Sequence, residues 1–111
     1  MELTTEELAG GMTKVILDGR LDIEGAQAIG PKLNVIAGSR PSVLFDLRKV
    51  TFLGSSGLHT IIGAARIIGA RGGKTALFGP NALVEKVLKA SGTDTYIPIH
   101  HDLQSAISAL S

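Results

Sequence analysis

The chain has 111 residues, of which 44% are hydrophobic and 19% are charged, with 14 glycines and no cysteine. This length fits one domain, over 1–111, with a core that needs no disulfides, and the lack of cysteine excludes thiolate metal sites, iron–sulfur clusters and cysteine nucleophiles. A net charge of +1 and an aromatic content of 4% exclude the basic surface and the stacking platform typical of nucleic-acid-binding proteins.

Two predicted strands begin the chain, over residues 3–8 and 12–17, and the turn residues between them predict a hairpin. An amphipathic helix follows from Gly25 and ends before Pro41, because apolar residues recur there at helical spacing. The residues on its apolar face are Ala26, Ile29, Leu33, Ile36 and Ala37. Residues 42–47 contain four apolar residues, interrupted only by Asp46 near the end, which predicts a central parallel strand buried on both faces.

Strands and helices continue to alternate after this strand. Residues 50–53 (VTFL) lead into a small-residue loop, GSSG at 54–57, and a second helix that runs up to Gly69. Residues 74–78 predict a strand, and GPN at 79–81 opens a third helix. Pro98 places a short strand over residues 96–99 at a sheet edge, and Asp102 is the expected N-cap of a last helix.

The predicted order of elements is therefore ββαβαβαβα. It indicates an α/β fold with a mixed, mainly parallel sheet, an amino-terminal hairpin and about four helices. In such a sheet, ligands and partners bind outside the carboxyl ends of the parallel strands, where residues 54–57 are expected to lie.

Enzyme signatures are present only in incomplete form. GKT at 73–75 resembles the end of a P-loop, but it follows a helix and precedes a strand, and Ile68 stands where the motif requires glycine. GSSG lacks the G-x-S-x-G spacing of a nucleophile elbow. His59, His100 and His101 are interpreted as solvated surface residues. We therefore predict no catalytic residue, no metal site, no cofactor and no enzymatic activity.

The serine doublet, Ser55 and Ser56, stands at the amino end of the second helix. In a purely structural interpretation, one serine caps this helix and the flanking glycines permit close backbone approach. One cap needs only one hydroxyl, so the doublet leaves a second hydroxyl in excess. A phosphate on it would add about two negative charges beside the positive end of the helix, which the fold can tolerate.

Residues 46–58 and residues 17–22 carry two motifs that resemble those of the STAS domain, as found in anti-sigma-factor antagonists. Residues 46–58 (DLRKVTFLGSSGL) are similar to the family pattern of an Asp-Leu, a hydrophobic strand and Asp-Ser-Ser-Gly-Leu opening a helix. Residues 17–22 (LDGRLD) resemble the family's Gly-Glu-Leu-Asp segment, and the element order matches over essentially the whole chain.

The resemblance implies a phosphorylation-controlled binding protein. Its partner would be an anti-sigma factor with serine kinase activity, which releases the sigma factor when it binds this chain. The partner would then phosphorylate Ser55 and so break the complex. A phosphatase would remove the phosphate and restore the binding form. The exposed face of the second helix is part of the predicted partner surface. The remaining predicted contact residues are Asp22, Gly54, Ser55, Ser56, Gly57 and His59.

Gly54 stands where the family has an acid, and this departure favours an alternative. The chain would then be an unphosphorylated STAS subunit of a lipid- or anion-transport complex, or of a stressosome-type scaffold. A third interpretation is a sensor that holds a nucleotide or anion at the helix amino end, for which no residue specifies a base or ribose. Self-association stays open.

The amino terminus lacks the pattern of a signal peptide, and no apolar run has the length of a membrane span. We therefore expect a cytoplasmic protein with no direct nucleic-acid partner and no membrane insertion.

Overall fold

The computed structural model describes all 111 residues, in five strands and five helices. In chain order they are β1 Glu2–Glu7, β2 Met12–Leu21, α1 Ile23–Ser39, β3 Ser42–Leu53, α2 Ser55–Ala70, β4 Lys74–Phe78, α3 Ala82–Ala90, α4 Thr93–Tyr96, β5 Ile99–His100 and α5 Leu103–Leu110. A short 3-10 turn, Ala9–Gly11, joins β1 to β2. The predicted order of elements is confirmed, and the one-turn helix α4 is added to it.

All five strands form one sheet in the order β1-β2-β3-β4-β5. β1 runs antiparallel to β2, and the other three neighbouring pairs are parallel. This confirms the hairpin and the mainly parallel sheet. β3 is the central strand, and its apolar residues 43–45 and 47 are buried as predicted, together with Asp46.

Two apolar cores lie on opposite faces of the sheet, because successive side chains of a strand point to opposite sides. The larger core has 21 buried residues, including Val43 and Phe45 of β3, and it is closed by α1 and α2. The smaller core has 6 buried residues and joins Leu44 of β3 to Ala106 and Leu110 of α5. No helix is both long enough and apolar enough to span a bilayer.

β2 and β3 extend further than the rest of the sheet. Only residues 42–46 of β3 pair with β4, whereas β2 follows β3 to its end, where Leu21 lies opposite Leu53. On the side that β4 leaves open, the Asn81 side chain at the start of α3 donates a hydrogen bond to the Val50 carbonyl at 3.1 Å. The carboxyl ends of β2 and β3 therefore project together, and α1 and α2 begin there.

β2 continues to Leu21, beyond the predicted end at residue 17. The Asp18-Gly19 pair looks like a terminating turn, but both residues stay paired with β3. Register shifts occur on either side of them, and Gly19 has a φ of 121°, so glycine absorbs an irregularity within the strand rather than ending it.

The predicted strand over residues 96–99 is wrong at its beginning. Tyr96 ends the helical turn α4, in which Ile97 N donates to the Thr93 carbonyl at 2.8 Å, and β5 contains only Ile99 and His100. Pro98 precedes β5, which is the edge strand as predicted. The Pro98 carbonyl accepts a hydrogen bond from Leu77 N at 2.9 Å. Pro98 therefore pairs with β4 through its carbonyl oxygen, although it has no backbone N–H to donate.

Candidate functional site

The serine doublet opens α2 directly after β3. Gly54 is the N-cap, with extended backbone angles (φ −105°, ψ 179°), and no side chain caps the helix. The expectation that Ser55 or Ser56 is the cap is therefore wrong, because both serines already lie inside the first turn. Leu58 N makes the first bond of the helix, to the Gly54 carbonyl at 3.0 Å, so the N–H groups of residues 55–57 remain free at its positive end.

α2 lies very close to the end of β2. Gly54 N donates to the Leu21 carbonyl at 3.1 Å. A Cβ on Gly57 would stand 2.5 Å from Leu21 Cγ and 2.6 Å from the Leu21 carbonyl oxygen, so only glycine permits this approach. Ser55 is exposed and Ser56 is half-buried. Gly57 thus has a packing role, whereas neither serine hydroxyl has a capping role.

Asp22 lies at the neighbouring helix start. Its Oδ1 accepts a hydrogen bond from Gly25 N at 2.8 Å, which makes Asp22 the N-cap of α1. Its Oδ2 lies 3.5 Å from Arg20 Nε. The Gly25 N–H lowers the pKa of Asp22, desolvation opposes this effect, and Arg20 adds to the lowering, so the pKa is below its ordinary value. Asp22 is therefore charged at neutral pH and is engaged in holding α1.

Both helix starts open onto one cleft of about 480 Å³. The residues that line it come from the ends of β2 and β3 and the first residues of α1 and α2: Arg20, Asp22, Ile23, Glu24, Phe52, Gly54, Ser55 and Ser56. The structure thus brings four of the six predicted contact residues into one cavity: Asp22, Gly54, Ser55 and Ser56.

The other two predicted contact residues lie outside this cleft. Gly57 is buried against β2 and presents no side chain. His59 is exposed on α2, one turn after Ser55 and on the same side of the helix. A partner that covers the cleft and the exposed face of α2 would reach His59, and this contact stays a prediction.

Exposed apolar side chains lie in the cleft and in the groove beside it. Ile23 is 64% exposed, Phe52 is 41% exposed and Leu83 is 74% exposed. Phe52 also lines a neighbouring groove of about 290 Å³, which it shares with Leu83 at the start of α3. Apolar side chains gathered within a polar rim are typical of protein interaction surfaces.

Sequence reasoning missed Arg20, Ile23 and Phe52, and it did not distinguish the exposed Leu83 from the buried Val84 on α3. Helical spacing alone cannot separate Leu83 from its buried neighbour Val84, because both fall within a broad apolar stripe. The available signal was topological, since Ile23 and Phe52 flank the carboxyl ends of adjacent parallel strands.

The carboxy-terminal histidines lie away from the doublet. His101 Nε2 is 2.7 Å from Glu85 Oε1 at an exposed position. His100 is half-buried in β5, and its Nε2 is buried without a hydrogen-bond partner, so its assignment to solvated surface is wrong. No three His, Asp or Glu side chains are grouped to hold a metal ion. GKT lies where α2 gives way to β4, which confirms the helix-to-strand context that separates it from a P-loop.

Comparison with known proteins identifies the family of the chain. Residues 5–106 match the family model of the STAS domain. The chain is 28% identical over 102 residues to an anti-sigma F factor antagonist of Paenibacillus polymyxa, which covers 90% of this chain and 87% of that protein. It is 30% identical over 95 residues to an anti-sigma F factor antagonist of Lysinibacillus sphaericus, and this match covers 83% of this chain and 77% of that protein.

A solved structure shares the fold. The phosphorylated form of SpoIIAA, a Bacillus cell fate determinant, superposes with a TM-score of 0.74 at 22% identity, covering 99% of this chain and 100% of that one. With the family match over residues 5–106 and the two sequence relatives, the chain belongs to the STAS domain family, of the type found in anti-sigma factor antagonists.

Proposed function

We propose that this chain, as a single domain over 1–111, is an anti-sigma factor antagonist and not an enzyme. It binds an anti-sigma factor that has serine kinase activity and thereby releases the sigma factor. The observation that carries the proposal is Ser55: an exposed serine, free of any capping role, in a cleft bordered by Ile23 and Phe52. The two relatives named anti-sigma F factor antagonists support the same function.

The proposed mechanism uses the cleft as the centre of the interface. In the unmodified protein, the partner buries Ile23 and Phe52 and packs over the Ser55 hydroxyl. The kinase transfers the terminal phosphoryl group of a nucleoside triphosphate to that hydroxyl, which gives up its proton as the nucleoside diphosphate leaves. The phosphate then stands in the middle of an interface that excludes water. Burying such a charge without a partner is costly, so the complex dissociates, and a phosphatase restores the binding form by hydrolysis.

Substitution of Ser55 tests the switch. Ser55→Asp should weaken partner binding at least about a hundredfold, which requires only about 2.7 kcal/mol. Ser55→Ala should bind as the wild type does but take up no phosphate. Ser108→Asp is the matched control, because Ser108 is an exposed serine of α5 and lies outside the cleft. Equal affinities for Ser55→Asp and Ser108→Asp, measured by titration calorimetry, would contradict the switch.

Affinity capture from a native lysate identifies the partner. The bait is recovered with its bound proteins, and its intact mass is measured. We expect a kinase-like anti-sigma factor among the bound proteins and a mass increase of a single phosphate on part of the bait. Ser55→Ala bait should retain the partner and lose the mass increase.

An unmodified structural subunit is the second candidate, and Gly54 favours it. The N-cap of α2 has no carboxylate, which removes a side chain that would help a kinase to recognise the serine. The same cleft and α2 face would then be a permanent interface with a transport or scaffold assembly. Capture of the same assembly by wild-type, Ser55→Ala and Ser55→Asp baits, without a phosphate on the wild type, would favour this candidate over the switch.

A further inference from the structure

We propose that Arg20 is the counter-ion of a phosphate carried by Ser55. The inference rests on the proposed function and goes beyond it, because it assigns a regulatory role to a residue outside the serine doublet. Arg20 is the only cation among the residues that line the cleft, and it shares this cavity with Ser55. On β2 it lies opposite Phe52, the residue two positions before Gly54.

Arg20 is held loosely in the unmodified protein. Its side chain is 62% exposed, and its contact with Asp22 is a single long approach of 3.5 Å from Nε to Oδ2. Its guanidinium otherwise rests over the Phe52 ring, 4.5 Å from the centroid. The 2.8 Å hydrogen bond from Gly25 N to Asp22 Oδ1 does not involve Arg20, so Asp22 has a second partner for its charge if the guanidinium moves away.

A comparison within the molecule shows how loose this contact is. The guanidinium of Arg48 holds the Asp46 carboxylate at two points, with Nη2 to Oδ2 at 2.8 Å and Nε to Oδ1 at 3.0 Å. Arg20 makes no such two-point contact with Asp22. A phosphate offers the planar guanidinium the two-point geometry that is missing there.

The charges around Ser55 favour a movement of the Arg20 guanidinium from Asp22 to a phosphate on Ser55. α2 has no acidic residue in its first turn, and its N-cap is Gly54, so no side chain of this helix competes for its free N–H groups. The carboxylates that face the cleft, Asp22 and Glu24, belong to the start of α1 and would repel a phosphate. Arg20 is the charge in the cleft that can offset this repulsion, and His59 lies one turn along α2.

The movement would have a consequence for the interface. If the guanidinium turns from the Phe52 ring to the phosphate, the apolar border of the cleft loses the cation that covers it. Phosphorylation would then change two features of the docking surface at once: its charge at Ser55 and the surroundings of Phe52.

The test uses the full chain with phosphoserine incorporated at position 55 during synthesis. The pKa of the phosphate, ordinarily about 6, is measured by phosphorus NMR titration. In the wild type it should be about half a pH unit lower than in Arg20→Gln, because a nearby cation favours the dianion. Arg20→Lys should keep part of the lowering, since it retains the charge without the planar fork.

Arg66→Gln is the matched control. Arg66 is an exposed arginine of α2, eleven residues after Ser55 and therefore about 16 Å along the helix axis, so its variant should titrate as the wild type does. Equal phosphate pKa values in Arg20→Gln and wild type would overturn the inference. Because the phosphate is installed during synthesis, this result does not depend on whether an anti-sigma factor is found, and the two proposals can fail separately.

Discussion

A buried carboxylate, Asp46, is held by its neighbour Arg48 in the middle of β3. Asp46 is 2% exposed, and the Arg48 backbone N–H and guanidinium both donate to it. Burial raises the pKa of Asp46, but the hydrogen bonds and charge of Arg48 outweigh burial, so the pKa lies below its ordinary value. The same guanidinium stacks 4.8 Å from the centroid of Phe78. This pair therefore links β3 to β4 where their pairing ends.

The Asp46 pair predicts how stability depends on pH. Because the pKa of Asp46 is lower in the folded chain, its contribution is fully present above the ordinary value of 3.8 and is lost as the pH falls through the folded value. Asp46→Asn should cost about 1–3 kcal/mol at pH 7, as a lost charged hydrogen bond does. Urea unfolding between pH 3 and pH 7 measures both effects.

Other groups with lowered pKa values, such as Asp22 and Asp102, act in the same direction, so the wild type is the necessary reference. Between pH 4.5 and pH 3, the free energy of unfolding should decrease less in Asp46→Asn than in the wild type. A variant that follows the wild-type slope would show that Asp46 contributes no pH dependence.

Single residues also show where sequence reasoning reached its limit. Topology alone placed the serine doublet at the carboxyl ends of the parallel strands, whereas Asp22 was predicted through the resemblance to the STAS domain. The N-cap of α2 could not be predicted, because a shift of one residue decides whether Gly54 or Ser55 stands at that position. Asp102 was predicted correctly as an N-cap, and its Oδ1 accepts from Ser105 N at 2.8 Å. There, no competing serine or glycine stands beside it.

At the level of elements, α2 depends on two kinds of glycine. Gly57 faces the end of β2, where a Cβ would meet Leu21 at 2.5 Å. Gly63 lies in the middle of the same helix, and apart from the backbone of that helix no atom lies within 4 Å of its Cβ position. The first glycine is required by packing, whereas the second only weakens the helix.

These two glycines give a matched pair of substitutions. Gly57→Ala should destabilise the protein by about 1–3 kcal/mol, because the methyl group must push α2 away from Leu21. Gly63→Ala should stabilise it by up to about 1 kcal/mol through helix propensity. Urea unfolding curves measure both values. Equal stabilities for the two variants would show that α2 can shift without cost.

The periodic elements were the most predictable part of the fold. All five residues assigned to the apolar face of α1 are buried, and β4 has its predicted bounds. The predictions failed where local chemistry is ambiguous. Gly19 looks like the end of a strand but lies within β2, and the end of α4 has the β-branched and aromatic composition of a strand. A short helix of this kind forms through tertiary context rather than through intrinsic propensity.

Taken as a whole, the molecule is unevenly stabilised. The face covered by α1 and α2 has 21 buried core residues, and the face covered by α5 has 6. β5 is paired with β4 at only two positions. The carboxy-terminal part, β5 with α5, is therefore the part that can open most easily without loss of the main core.

Native-state hydrogen exchange tests this difference. Amides in the middle of β3, such as that of Phe45, should exchange only through global unfolding. Amides of α5, such as that of Ala106, should exchange through an opening of lower free energy that depends little on urea. Leu110→Ala should lower the opening free energy of α5 more than that of β3. Equal opening free energies for the two segments would contradict this view of the molecule.

The two outer strands of the sheet limit how copies of this chain can meet. β1 is six residues long and carries Glu2, Glu6 and Glu7, of which Glu6 is paired with Lys14 at 2.8 Å and Glu7 with Arg40 at 3.6 Å. A second copy laid along β1 would have to fit these charged side chains beside its own. β5 offers only two residues to an added strand. Growth of the sheet by strand addition is thus disfavoured on both sides, which protects a concentrated protein from fibrous aggregation and leaves the strand ends, rather than the strand edges, for recognition.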